Sequence, residues 1–351
     1  MNADAAKLWP AVSSSSSLGE LEAQSAEYAA LSLGAGTRRA YVSAWRHYTA
    51  WCATHGLDPF GGAAGPLPLY VTHMAKLGRA VSTIRVALAG IAKAYRLAGF
   101  PLDLKAPQLA PVVEGVTRGI GMEPRRQATP AVPELLRALL AHCGEDDGRH
   151  AALTARNRAM LLLGFGAAMR RSELVALTLG DVGLVPDRGV MLKVRRSKTD
   201  KRGEGQQVAI WANSGEPDFC PAVALEAWLA FREAAGDVRE ARGQDEPEAA
   251  MAKLPLFCAV TRVGRVTGHG LSDKAVVRLI KATAAAAGMK PKGFSGHSLR
   301  AGLITAAGEE NVELPLVMRQ ARQKDPKTTL GYLRPADLWR NNATAPIFRK
   351  K

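Results

Sequence analysis

The chain has 351 residues, room for two ordinary domains, and 47% of them are apolar, which excludes wholesale disorder. Lysine and arginine number 47 against 32 for aspartate and glutamate, so the formal charge is +15 with no long basic tract, a balance that suits folded surfaces meeting a polyanion. The four cysteines (Cys52, Cys143, Cys220, Cys258) stand singly, which excludes a zinc module or a disulfide framework, and the most apolar run, 159–169, is too short to span a bilayer. The first residues lack the basic start and apolar centre of a signal peptide, so a soluble, cytoplasmic protein is expected. Abundant Arg, Ala and Gly also follow from a GC-rich genome, so charge alone does not decide the partner.

Residues 1–20, with a run of five serines, read as a flexible N-terminus, and 21–121 read as a helical domain. Within 37–56, Tyr41, Trp45, Tyr48 and Cys52 recur at helical spacing, with Arg38, Arg39 and Arg46 between them. Within 81–99, Ile84, Leu88, Ile91 and Tyr95 form an apolar stripe, with Arg85, Lys93 and Arg96 off it and Ser82 or Thr83 as a helix cap. The aromatics read as core rather than base-stacking groups. The basic residues are either a solvated face or phosphate contacts. Three prolines and the pair Arg125 and Arg126 mark 122–132 as an extended linker.

The second domain, 133–351, opens with helices near 133–143, 155–168 and 171–178. Strands at 190–196 and 207–211 flank a polar hairpin tip in which Arg195, Arg196, Lys198, Lys201 and Arg202 cluster. Further helices are expected near 221–235, 272–287, 297–308, 313–321 and 326–333, with 234–250 a polar, acidic surface loop or frayed helix.

Four segments carry chemistry. In AMRRSELVALTLGDV, Arg170 and Glu173 are three apart, one helical face, a pairing that on its own is commonly a surface ion pair. Lys198 stands at the hairpin tip of RRSKTDK, where a lysine is by default solvated but can reach a phosphate in a groove. In GHSLRAG, His297 and Arg300 are again three apart, after a glycine, Gly296, that lets a ligand approach the backbone. In TTLGYLRPADLW, Tyr332 is the only tyrosine after Tyr95.

In that order and spacing these segments resemble the tyrosine site-specific recombinases, the phage integrase family, and among them the Cre-like members. The stretches TRRAYVSAWRHYTAWC and VSTIRVALAGIAKAYRLAG are similar to that family's helical, SAM-like core-binding domain. The resemblance implies a mainly α protein with a small antiparallel β-sheet, its two domains forming a C-clamp on double-stranded DNA. It implies that Arg170 and Arg300 clamp the scissile phosphate, that His297 bonds it and serves as a base toward the tyrosine, and that Glu173 orients its neighbours. Lys198 would protonate the departing 5′-oxygen, and Tyr332 would attack to give a 3′-phosphotyrosyl link. It implies no metal, nucleotide or other cofactor, in keeping with a sequence that has no metal-ligand motif or phosphate-binding glycine loop. The partners implied are inverted-repeat half-sites and other copies of the chain, a homo-tetramer on DNA and a monomer when free, nucleoid-associated in a bacterial or mobile-element source. Ile347 and Phe348, near the C-terminus, are candidate knobs for docking on a neighbouring protomer. One position departs from the family pattern: where a His or Trp is usual, nine residues before the nucleophile, this chain has Gln323, which can donate a hydrogen bond but carries no charge, with the adjacent Lys324 as the alternative occupant. A catalytically silent DNA-binding regulator of the same fold, or a type IB topoisomerase, are the competing readings.

Overall fold

A computed structural model describes residues 19–21, 24–25, 33–122, 127–144, 150–195, 205–332 and 344–348. The chain divides into two compact units, Met1–Arg126 and Gln127–Lys351. Among the described residues no helix is long and apolar enough to cross a membrane.

Beside the helical residues at 19–21 and 24–25, the described part of the first unit includes α1 (Ala35–Thr54), α2 (Pro66–Lys76), α3 (Val81–Leu97) and α4 (Ala110–Ile120). The aromatic stripe of α1 and the aliphatic stripe of α3 meet, burying Tyr48, Cys52, Ile84, Leu88, Ile91 and Tyr95. The Tyr95 hydroxyl donates to the Pro59 carbonyl (2.5 Å) and accepts from the Gly62 amide (3.0 Å), tying the loop after α1 to this core. Two expectations differ from what is found. Ser82 and Thr83 do not cap α3; its N-cap is Ala80, and both hydroxyl residues lie within the first turn. α2 and α4 were hidden by their prolines, which stand in the first helical turn, where the missing amide costs no hydrogen bond.

In the second unit, residues 127–132 run extended into α5 (Pro133–Ala141), followed by α6 (Ala151–Gly166) and the short α7 (Arg171–Val175). A three-stranded antiparallel sheet follows in the order β1 (Val182–Val185), β2 (Gly189–Val194), β3 (Gln206–Trp211), with Val190 opposite Ile210 and Leu192 opposite Val208 on the buried face. The sequence reading missed β1, a short strand that contains a glycine and no clear alternation. α8 (Pro221–Glu233) packs on α6, with Trp228 fully buried and its indole N–H on the Leu256 carbonyl (2.8 Å). The acidic segment read as a surface loop or frayed helix forms two short helices, α9 (Gly236–Arg242) and α10 (Pro247–Ala252). Their hold is Asp237, which takes both Nη groups of the buried Arg232 at 2.8 Å each. A second, two-stranded sheet, β4 (Cys258–Val260) with β5 (Val266–Gly270), was also not foreseen. It leads to α11 (Asp273–Ala286), α12 (Ser298–Glu309), α13 (Leu314–Ala321) and a helical run over 326–332.

The entry strand to this unit is pinned to the start of α12. Thr129 donates its amide to the Gly293 carbonyl and Ala131 donates to the Ser298 carbonyl, each at 2.9 Å. α12 comes so close that a Cβ on Gly302 would lie 2.1 Å from the Ala131 carbonyl oxygen. Backbone cannot yield there as a side-chain tip can, so Gly302→Ala is expected to destabilise the protein by about 2–3 kcal/mol. A urea midpoint equal to that of the unsubstituted protein would show that the contact is looser than the geometry requires.

Candidate active site

The site is assembled where α6 ends. The chain leaves α6 through a tight turn in which Ala168 takes a left-handed conformation (φ 44°), and the Ala167 and Ala168 carbonyls are left outside the helix ladder. Arg170 follows as the N-cap of α7, and Glu173, in the first turn, reaches back to it. One Glu173 oxygen accepts the Arg170 backbone amide (3.0 Å) and the other accepts Arg170 Nη1 (2.5 Å). The spacing of three seen in the sequence therefore does make a pair, and a buried one: the Glu173 side chain is 3% exposed and that of Arg170 17%.

Two further arginines arrive from distant parts of the chain. Arg300, in the first turn of α12, is buried and donates Nη1 to the Ala168 carbonyl at 2.6 Å, while its Nη2 is buried with no hydrogen-bond partner among the described residues. Arg322, at the C-cap of α13, donates Nη1 to the Ala167 carbonyl (2.8 Å) and Nη2 to Glu173 Oε2 (3.0 Å). The sequence reading missed Arg322. A charged residue at the end of an amphipathic helix carries no sign that it turns inward, and only its place beside Gln323 drew notice to the neighbourhood.

The electrostatics follow from one carboxylate among three guanidiniums. Burial draws Arg300 down to about 10, helped by Arg170 and Arg322 and opposed by Glu173 and Tyr332, so it keeps its charge at neutral pH. Burial alone would push Glu173 up; the Arg170 amide and the charges of Arg322 and Arg170 outweigh it and hold the carboxyl below its usual range. The surplus of positive charge, with a buried N–H left over on Arg300, is what a site for an anion requires.

The other candidates take these places. His297 is the N-cap of α12, exposed, with its amide on the Ser295 hydroxyl (3.1 Å) and its carbonyl accepting the Ala301 amide (2.8 Å). It stands one turn from Arg300, as the spacing requires. At Gly296 a Cβ would meet the Arg171 side chain at 2.8 Å, so the glycine makes room for Arg171, which pairs with Asp273 (3.1 Å). Tyr332 ends the described part of the helical run and packs, half-buried, against the small cluster of Ala168, Ile304, Val317 and Ala321, within electrostatic reach of Arg300. Gln323 accepts the Thr329 hydroxyl on Oε1 at 2.6 Å, which fixes the amide and turns its NH₂ group away from that contact; Lys324 is exposed.

Lys198 lies outside the described residues, as do Arg125, Arg126, Arg196, Lys201 and Arg202. Of the remaining basic candidates, Arg38, Arg39, Arg46, Arg85 and Arg96 are exposed and Lys93 is half-buried. Arg195 is engaged at the end of β2: its Nε donates to the buried Asp181 (2.6 Å) and its Nη2 to the Thr178 hydroxyl (3.0 Å).

The fixed amide gives a first kinetic expectation. If the Gln323 NH₂ donates to the anion, Gln323→Ala lowers the single-turnover cleavage rate by about 10²-fold and Gln323→His holds or raises it. An unchanged rate for Gln323→Ala would remove this residue from the site.

Comparison with known proteins agrees with this architecture. The sequence model of the Phage integrase family matches residues 133–338, the stretch that runs from Arg170 to Tyr332 and beyond. The chain belongs to the phage integrase family and is a tyrosine recombinase. It is 28% identical over 321 residues to an integrase/recombinase xerD homolog of Selenomonas ruminantium, covering 90% of this chain and 86% of that one. Its fold is like that of the XerH site-specific recombinase solved with a palindromic difH substrate in a post-cleavage complex (TM-score 0.52, 18% identity, 76% of this chain and 67% of the other). It is also like that of a lambda integrase dimer bound to a COC′ core site (TM-score 0.53, 15% identity, 89% and 75%).

Proposed function

We propose that the protein cuts and rejoins double-stranded DNA at a specific sequence, with Tyr332 as the nucleophile. The observation that carries this reading is the gathering of three arginines where α6 ends, Arg170 and Arg322 paired with Glu173 and Arg300 on the Ala168 carbonyl, with an Arg300 N–H left to donate. In the proposed step the Tyr332 oxygen forms a bond to the scissile phosphorus while the bond to the 5′-oxygen breaks. The tyrosine proton passes toward His297, and Lys198 gives a proton to the departing oxygen. Arg170 and Arg300 hold the equatorial oxygens, where negative charge grows. The 3′-phosphotyrosyl bond keeps the energy of the phosphodiester, so attack by a 5′-hydroxyl reseals the strand without ATP or a metal ion.

The two units would form a C-clamp on the duplex, with exposed arginines of α1 and α3 on the phosphates. Two inverted half-sites would each take one copy, and two such pairs would form the tetramer in which strands exchange. The XerH and lambda integrase structures, solved on DNA substrates, support DNA as the partner. Ile347 and Phe348, 64% and 81% exposed in the short helix Ala345–Phe348, are the candidate knobs that join protomers. The neutral Gln323 alone favours a catalytically silent regulator, and the amide it offers argues against that reading.

The test is recovery of protein-linked DNA from cells expressing the protein, with sequencing of the linked ends. Ends that recur at one sequence, and that support deletion of the DNA between two plasmid copies of it, are expected. Linked ends scattered over the genome, with plasmid relaxation and no deletion, would assign a topoisomerase instead.

A further inference from the structure

Arg322 holds a position that needs explaining. It takes a left-handed backbone conformation (φ 53°), one that non-glycine residues seldom adopt. The turn directs its side chain inward, where the residue is 4% exposed. There its guanidinium donates to three carbonyls, those of Ala167, Ala168 and Gln320, as well as to Glu173. Strain and burial of a charge both oppose this arrangement, so the contacts made at its end have to offset them.

The Glu173 carboxylate is divided between two partners. One oxygen faces Arg170 Nη1, and the other takes Arg322 Nη2 along with the Arg170 amide. With Arg170 as its sole ionic partner, the carboxylate would spend its negative charge against the guanidinium meant for a phosphate, and would repel that phosphate at short range. Arg322 cancels this charge from the side away from Arg170 Nη1. It also begins the stretch that carries Gln323, Thr329 and Tyr332, and it stands next to the glutamine that brings no charge of its own.

Resting on the strand-transfer reading above, we propose that Arg322 is a positioning residue for DNA cleavage: by neutralising Glu173 it frees Arg170 and Arg300 for the scissile phosphate. Its effect passes through Glu173, and that dependence makes it testable.

The experiment uses the purified full chain and a duplex bearing the sequence found linked to the unsubstituted protein in cells. Single-turnover formation of the covalent adduct, duplex Kd and the thermal midpoint are measured for Arg322→Met, Arg322→Lys, Glu173→Gln and the double variant Arg322→Met/Glu173→Gln. Arg322→Met is expected to slow adduct formation about 30-fold while Kd stays within about 3-fold, and Arg322→Lys to recover part of the loss. The double variant is expected to return to within about 5-fold of the unsubstituted rate, because it removes the charge that Arg322 cancels. A purely structural Arg322 gives no such rescue. A double variant as slow as Arg322→Met, or an Arg322→Met as fast as the unsubstituted protein, overturns the proposal. Should Arg322→Met fail to fold, the double variant, which leaves no unpaired buried charge at this pair, decides by the same criterion. An unsubstituted protein that links no DNA anywhere overturns the strand-transfer reading first, and is distinct from a rescue that fails in an active enzyme.

Discussion

Tyr332→Phe is expected to abolish covalent linkage to DNA while leaving the duplex Kd and the thermal midpoint unchanged. The ring makes its contacts with the cluster of Ala168, Ile304, Val317 and Ala321 through carbon, and phenylalanine keeps them. In the proposed mechanism what is lost is the oxygen that forms the bond to phosphorus, and no other tyrosine follows Tyr95 in the sequence to replace it. The whole covalent step therefore disappears rather than slowing by a factor. Denaturing gels of protein and end-labelled duplex read this directly. Any shifted band with Tyr332→Phe would assign the nucleophile elsewhere.

Arg300→Met is expected to lower the cleavage rate by about 10³-fold or more, since it removes a fixed cation and a buried donor from the site. Its effect on stability has the opposite sign from that of most buried substitutions. Arg300 is one of three guanidiniums around a single carboxylate, and the Ala168 carbonyl it bonds also accepts from Arg322 at 3.3 Å. Methionine of similar length relieves repulsion and leaves that carbonyl a donor, so the urea midpoint should hold or rise, by about 1 kcal/mol. Arg300→Lys should be nearly as slow as Arg300→Met. A lysine keeps the charge, but its point-like ammonium cannot reproduce the fork that reaches the carbonyl and a phosphate at once. A fast Arg300→Lys, or a marked fall in the midpoint of Arg300→Met, would place Arg300 among structural cations.

The sequence makes some of this plain and hides the rest for identifiable reasons. α1, α3, α8, α11 and α12 announce themselves by a stripe or by length, and the pairing of Arg170 with Glu173 follows from a spacing of three. α2 and α4 are masked because a proline in the first turn reads as a break. The helices α9 and α10 look like a solvated acidic loop because their anchor, Arg232, sits in another element and gives no local sign of being buried. Arg322 is hidden in the same way. Helical periodicity describes which face a residue occupies, and it says nothing of a side chain that leaves the helix through a left-handed residue and turns back. Gly296 is a related case: a glycine marks close approach, but the sequence does not say that the Arg171 side chain is what lies against it.

The turn after α6 has a consequence in time. Its two carbonyls and Glu173 are completed by donors that lie 132 residues downstream, for Arg300, and 155 residues downstream, for Arg322. A chain emerging from the ribosome makes α6 and α7 long before either arginine exists, and the nucleophile comes later still. The site therefore closes only after both arginines have emerged, and chains halted before residue 322 carry the helices of the first unit without these donors. A chain halted there has the turn after α6 and lacks the arginines that complete it.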